Sequence, residues 1–69
     1  MQTLYKINYT TRDRLLRAWE DAKESVRRLE VFSHETEEHE VKATFAACAE
    51  LQAQTAAKLY ELLRVRENG

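Results

Sequence analysis

Apolar residues recur along the first half of the chain at the spacing of an amphipathic helix. Their intervals of four, three, four and three residues give a period near 3.5, which predicts a helix over about residues 11–33. Thr10 or Thr11 is expected to cap this helix, and Asp13 suits its first turn. The series consists of Leu15, Trp19, Ala22, Val26 and Leu29, and it is widened by Leu16, Ala18 and Phe32.

A second series predicts a helix over about residues 37–66. Thr36 is expected to cap it, because Glu37 and Glu38 then lie near the positive end of the helix dipole. Arg64 and Arg66 suit the opposite end. The apolar face is formed by Val41, Phe45, Cys48, Gln52, Ala56, Leu59 and Leu63, with Ala49, Ala53, Tyr60 and Leu62 broadening it.

The apolar pattern lapses between Ser33 and Glu40. This lapse, with the capping signature inside it, predicts an all-α fold in which residues 11–69 form an antiparallel two-helix hairpin. One continuous helix from Thr11 to Arg66 is the alternative, since no proline and no internal glycine breaks the segment.

Residues 1–10 follow a different pattern. Tyr5, Ile7 and Tyr9 alternate with Lys6 and Asn8, which is the two-residue period of a strand. The segment is expected to be an N-terminal arm that is extended, pairs with a partner, or is disordered.

Composition excludes several classes of protein. The 69 residues contain no proline and one glycine, which is too few turn formers for a β-sandwich or barrel. The net charge of -1, without a pronounced basic face, argues against nucleic-acid binding. No apolar run is long enough to cross a membrane, and no signal peptide is visible, so a cytoplasmic location is expected.

The apolar faces are wider than one antiparallel helix pair can cover. A chain of this length rarely stabilises a core alone, so we expect two hairpins to form a homodimeric four-helix bundle. Binding to a different helical protein, as a helper subunit or chaperone, is the alternative. The residues expected at the interface are Leu15, Trp19, Val26, Phe32, Phe45, Gln52, Leu59 and Leu63.

Chemistry-bearing residues are few. His34, Glu35, Glu38 and His39 include pairs four residues apart that could hold a divalent ion, although a solvated acidic turn is the simpler interpretation. Cys48 lies among alanines and is expected to be a small apolar residue, since no histidine is near it in sequence. The sequence therefore predicts a non-enzymatic structural or interaction module without a cofactor, with a metal-binding bundle as the alternative function.

The junction resembles a family of short proteins. Phe32, Thr36, Glu38, Lys42 and Phe45 precede an Ala- and Gln-rich helix, and this order is similar to the domain-of-unknown-function family numbered 1657. The resemblance spans about residues 15–65, with Glu38 where the family usually has Asp. It implies a small helical protein of spore-forming bacteria, with a role associated with sporulation and no assigned activity.

Overall fold

Two antiparallel α-helices form the part of the chain that the computed structural model describes, residues 10–68. Helix α1 spans Thr11–Glu35 and helix α2 spans His39–Asn68, and the two pack against each other. The all-α hairpin is confirmed, and the three residues between the helices exclude the continuous helix. α1 continues two residues beyond the predicted end, and α2 begins two residues later than predicted. Residues 1–9 of the expected arm lie outside the described part.

α1 begins with a reciprocal pair of hydrogen bonds. The backbone N–H of Asp13 donates to Oγ1 of Thr10 over 3.1 Å, and the backbone N–H of Thr10 donates to Oδ2 of Asp13 over 3.2 Å. This capping box supplies partners for backbone donors that have none within the helix. Of the two threonines proposed from the sequence, Thr10 is therefore the cap, and Thr11 is the first residue of α1.

Thr36 has a different role from the one predicted. It closes α1 as the residue after Glu35, and its hydroxyl donates to the carbonyl oxygen of Phe32 over 2.6 Å. α2 begins only at His39, after Glu38, whose carbonyl oxygen accepts from the N–H of Lys42 over 2.9 Å. The prediction that Thr36 caps the second helix is wrong, because its hydroxyl is used one turn back in the first helix.

Ser33 and Lys42 join the two helices beside the turn. Oγ of Ser33 donates to the carbonyl oxygen of Lys42 over 3.1 Å, and Nζ of Lys42 donates to the carbonyl oxygen of Ser33 over 2.9 Å. The ammonium group thereby lies at the negative end of the α1 dipole and is a second donor to the Ser33 carbonyl, which also accepts from the backbone N–H of Thr36 over 3.4 Å. This contact fixes the position of the first turn of α2 relative to the last turn of α1.

The core between the helices is built from small residues. In the part of α2 that the structure describes, the residues facing α1 recur at three- and four-residue intervals from Lys42 to Leu63, so that Val41 and Cys48 of the predicted face lie beside it. Three of the four buried residues of the described chain are alanines, which allow the helix backbones to approach closely. The buried residues are Ala22, Ala49, Ala56 and Leu63.

Candidate protein-interaction surface

The residues predicted to form an interface lie along the contact between α1 and α2 or at its edge. Leu63 is buried, and Phe32, 42% exposed, is the most accessible of the eight. The other six, from both helices, are half-buried. They are Leu15, Trp19, Val26, Phe45, Gln52 and Leu59. One flank of most of these side chains therefore packs within the hairpin while the other faces solvent.

Two aromatic pairs bridge the helices. The rings of Trp19 and Tyr60 lie 5.4 Å apart between centroids, and those of Phe32 and Phe45 lie 5.6 Å apart. Both pairs are tilted, a favourable arrangement for aromatic rings. Nζ of Lys23 lies 3.7 Å from the centre of the Trp19 ring, so this indole also binds a cation on its face.

An open groove of about 490 Å³ runs along one flank of the hairpin. Apolar side chains share its lining with the ionisable groups of Glu30, His34 and Glu50. The lining comes from both helices: Val26, Glu30, Ser33 and His34 of α1, and Ala46, Ala49, Glu50 and Ala53 of α2.

The histidine-containing turn does not assemble into a metal centre. His34, Glu35, Glu38 and His39 are all exposed. Among residues 10–68, no group of three or more His, Cys, Asp or Glu side chains is arranged to hold a metal ion. The geometry gives the metal-binding alternative no support. Cys48, the one cysteine of the sequence, is a free thiol that is half-buried on α2.

Large apolar side chains remain exposed on the outside of the hairpin. Within the described residues, α1 exposes Val31 and Phe32, while α2 exposes five such side chains. Those of α2 are Val41, Leu51, Tyr60, Leu62 and Val65. None of the described helices is long and apolar enough to cross a membrane.

Four of these five α2 residues belong to one line along the helix. We define the α2 stripe as the residues that recur at alternating three- and four-residue intervals from Val41 to Val65. Its members are Val41, Thr44, Cys48, Leu51, Thr55, Lys58, Leu62 and Val65. The sequence contains this spacing, but each stripe residue from Val41 to Leu62 comes one position before a residue that faces α1. Sequence reasoning merged the two lines into one broad face and so missed the stripe.

The two threonines of the α2 stripe already have hydrogen-bond acceptors within the helix. Oγ1 of Thr44 donates to the carbonyl oxygen of Glu40 over 2.9 Å, and Oγ1 of Thr55 donates to that of Leu51 over 3.2 Å. Covering these hydroxyls with apolar atoms leaves neither proton without a partner, and their methyl groups add to the apolar surface.

No family model, curated protein or solved structure matches the chain. The resemblance to the family numbered 1657 stays a prediction.

Proposed function

We propose that this chain is a non-enzymatic interaction module that acts as a homodimer, with two hairpins forming a four-helix bundle. The observation that carries the proposal is the imbalance between what the described hairpin buries and what it leaves exposed. Its buried residues are three alanines and Leu63, whereas seven large apolar residues are exposed. Even Leu63, the most buried residue of the described part, keeps 4% of its surface accessible.

The energetics support a partner. Burying apolar surface stabilises a fold by roughly 25 cal/mol per Å², and an alanine side chain offers little such surface. Chains shorter than about 70–80 residues rarely obtain more than about 3–5 kcal/mol from one core. A second hairpin covers the outer flanks of half-buried residues such as Phe45 and Leu59, and so supplies burial that the single hairpin lacks.

The proposed activity is binding, and it requires no cofactor. The surface that supports it is apolar and runs along a helix, which is the kind of surface that bundles use to pair. A cytoplasmic setting is part of the proposal, and a spore-associated role is added by the resemblance at the junction alone.

Sedimentation equilibrium between about 1 and 100 μM tests the proposal. We expect a mass of twice 8.1 kDa and a thermal midpoint that rises with protein concentration, because association stabilises the folded state by mass action. A folded 8.1 kDa species with a concentration-independent midpoint across this range would overturn it.

A further inference from the structure

We propose that the α2 stripe is the dimer surface, and that it pairs antiparallel with the α2 stripe of a second copy of this chain. The inference rests on the proposed homodimer and specifies which face meets the partner and in which direction. It is carried by the position of the stripe, its chemistry and the distribution of charge around it.

The position of the α2 stripe suits the second neighbour of a helix in a four-helix bundle. Each of its residues from Val41 to Leu62 precedes a residue of the line that faces α1, as Leu62 precedes Leu63 and Thr55 precedes Ala56. A shift of one residue turns the helix by about 100°. Helices at the corners of a bundle contact two neighbours at roughly a right angle, so α1 occupies one contact direction and the stripe marks the other.

The α2 stripe also lies on the flank opposite the groove. Thr55 follows the groove residue Ala46 by nine residues, and Leu62 follows Ala53 by nine, which is two and a half helical turns. The two flanks of α2 therefore differ in chemistry. The groove side carries alanines and Glu50, while the stripe side carries Leu51, 61% exposed, and Leu62, 47% exposed.

The charge of Lys58 selects the antiparallel direction. Lys58 is the only charged member of the α2 stripe. Two parallel helices in register would place Lys58 against the partner's Lys58, which is repulsive. An antiparallel pair centred near residue 53, the midpoint of the stripe, instead brings Lys58 level with the partner's Cys48.

The same centre brings apolar members of the α2 stripe together. Val41 and Val65 are equally far from residue 53, so Val41 of one copy lies opposite the partner's Val65. Leu51 is level with the partner's Thr55, whose hydroxyl is already bonded within its own helix.

Charges on α1 agree with this arrangement. The contacts of Trp19 with Tyr60 and of Phe32 with Phe45 have their midpoint between residues 25 and 26 of α1 and between residues 52 and 53 of α2. Since the two helices are antiparallel, residue 25 of α1 is level with residue 53 of α2. A two-fold axis at this level brings Asp21 close to the level of the partner's Arg28, and Arg28 close to the level of the partner's Asp21.

Both charges lie on the flank that the dimer would cover. Asp21 precedes the groove residue Glu30 by nine residues, so it lies on the other side of α1, and Arg28 is seven residues after Asp21 on the same face. Within the hairpin they form exposed pairs, Asp21 with Arg17 at 3.4 Å and Arg28 with Glu24 at 4.0 Å. Because opposite charges of the two copies then lie close together, this register is favoured over registers in which one hairpin is shifted along the other.

A substitution pair tests which face forms the dimer. Leu62→Glu is expected to raise the dimer dissociation constant at least about 100-fold, because the two-fold axis repeats the lost burial in both copies. Val31→Glu is the matched control, since Val31 is 49% exposed on the back of α1 and Leu62 is 47% exposed. Ala53→Glu probes the groove. Loss of the dimer in Ala53→Glu with retention in Leu62→Glu would overturn the inference and leave the proposed homodimer intact.

A charge pair tests the register even where Leu62→Glu unfolds the chain. Thr44 and Leu62 are equally far from residue 53, so Thr44 faces the partner's Leu62. They are eighteen residues apart within one helix, which puts them beyond each other's reach. Adding Thr44→Lys to Leu62→Glu is expected to recover at least about 10-fold in dimer affinity, or in the concentration needed for half-maximal helicity. No recovery in either readout would count against the antiparallel register.

Spin-label distances test the direction in the intact dimer. Ala47, Gln54 and Glu61 are exposed and spaced by seven residues, so they share one face of α2. One label at a time is placed in a Cys48→Ala background, and the distance between the two copies of that label in the dimer is measured. At ~1.5 Å per residue, the two copies are expected to be offset along the helix axis by roughly 18 Å for Ala47, 3 Å for Gln54 and 24 Å for Glu61. The Gln54 label then gives the shortest distance. Three equal distances would show a parallel pair and overturn the inference, whereas absence of any dimer would overturn the proposed function itself.

Discussion

Ser33 and Lys42 each donate a hydrogen bond to the backbone carbonyl of the other, across the turn between α1 and α2. The two residues are nine apart in sequence, and both are half-buried. The pair lies at the end of α1, which has no glycine stop, and it adds the Lys42 ammonium to the N–H of Thr36 as a donor to the Ser33 carbonyl. Since it joins the two helices directly, it contributes to the angle of the hairpin as well as to its stability.

We predict that Ser33→Ala and Lys42→Met each destabilise the hairpin by about 0.5–1.5 kcal/mol, the usual net contribution of a hydrogen bond. Because both bonds join the same two residues, the double variant should lose less than the sum of the single losses. Urea unfolding of all four proteins, followed by helical circular dichroism, measures the coupling. Ser25→Ala in the same helix is the control. Additive losses would show that the two bonds act independently.

The capping box at the start of α1 allows a comparison between adjacent threonines. Thr10→Ala removes the acceptor for the N–H of Asp13 and is expected to cost about 1 kcal/mol. Thr11→Ala changes the first residue of α1 and is expected to leave stability unchanged or slightly raised, because alanine favours helix. Thermal and urea unfolding of both variants check this. Equal losses at the two positions would contradict the assignment of Thr10 as the cap.

The contact between Trp19 and Tyr60 gives a spectroscopic readout, because Trp19 is the only tryptophan in the chain. Tyr60→Leu keeps an apolar side chain but removes the aromatic partner, which we expect to cost about 0.5–1.5 kcal/mol. The same change should alter the emission of Trp19 in the folded state. Leu51→Ala, on the α2 stripe, should leave the emission unchanged. An unaltered spectrum in Tyr60→Leu would contradict the ring contact.

The sequence predicted the two helices well, because apolar spacing is set by helical geometry. It did not predict how residues match across the hairpin. Trp19 meets Tyr60 and Phe32 meets Phe45 only because the turn has three residues and α2 starts at His39. The shift of one helix along the other depends on where each helix ends. A hydrophobic pattern predicts helix ends less accurately than helix centres.

Thr36 shows why the helix ends were misplaced. A threonine followed by two glutamates is typical of a helix start, but a threonine hydroxyl can also donate to a carbonyl one turn earlier. The carbonyl of Phe32 lies within reach and lacks a partner inside α1, so the hydroxyl is used there. Similarly, the α2 stripe lies one residue from the line that faces α1, and a pattern of apolar positions alone does not separate two adjacent lines.

Glu38 provides a further test of the helix boundary. It immediately precedes α2, at the position where short side chains that accept from the next N–H groups are preferred. Glu38→Asp brings such a carboxylate closer to the free backbone donors and keeps the charge near the positive end of the dipole. We expect stability to rise by about 0.5–1 kcal/mol in urea unfolding. Glu37→Asp, one residue further from α2, is the control and should change stability by less. A gain at position 37 without one at 38 would place the start of α2 one residue earlier, at residue 38.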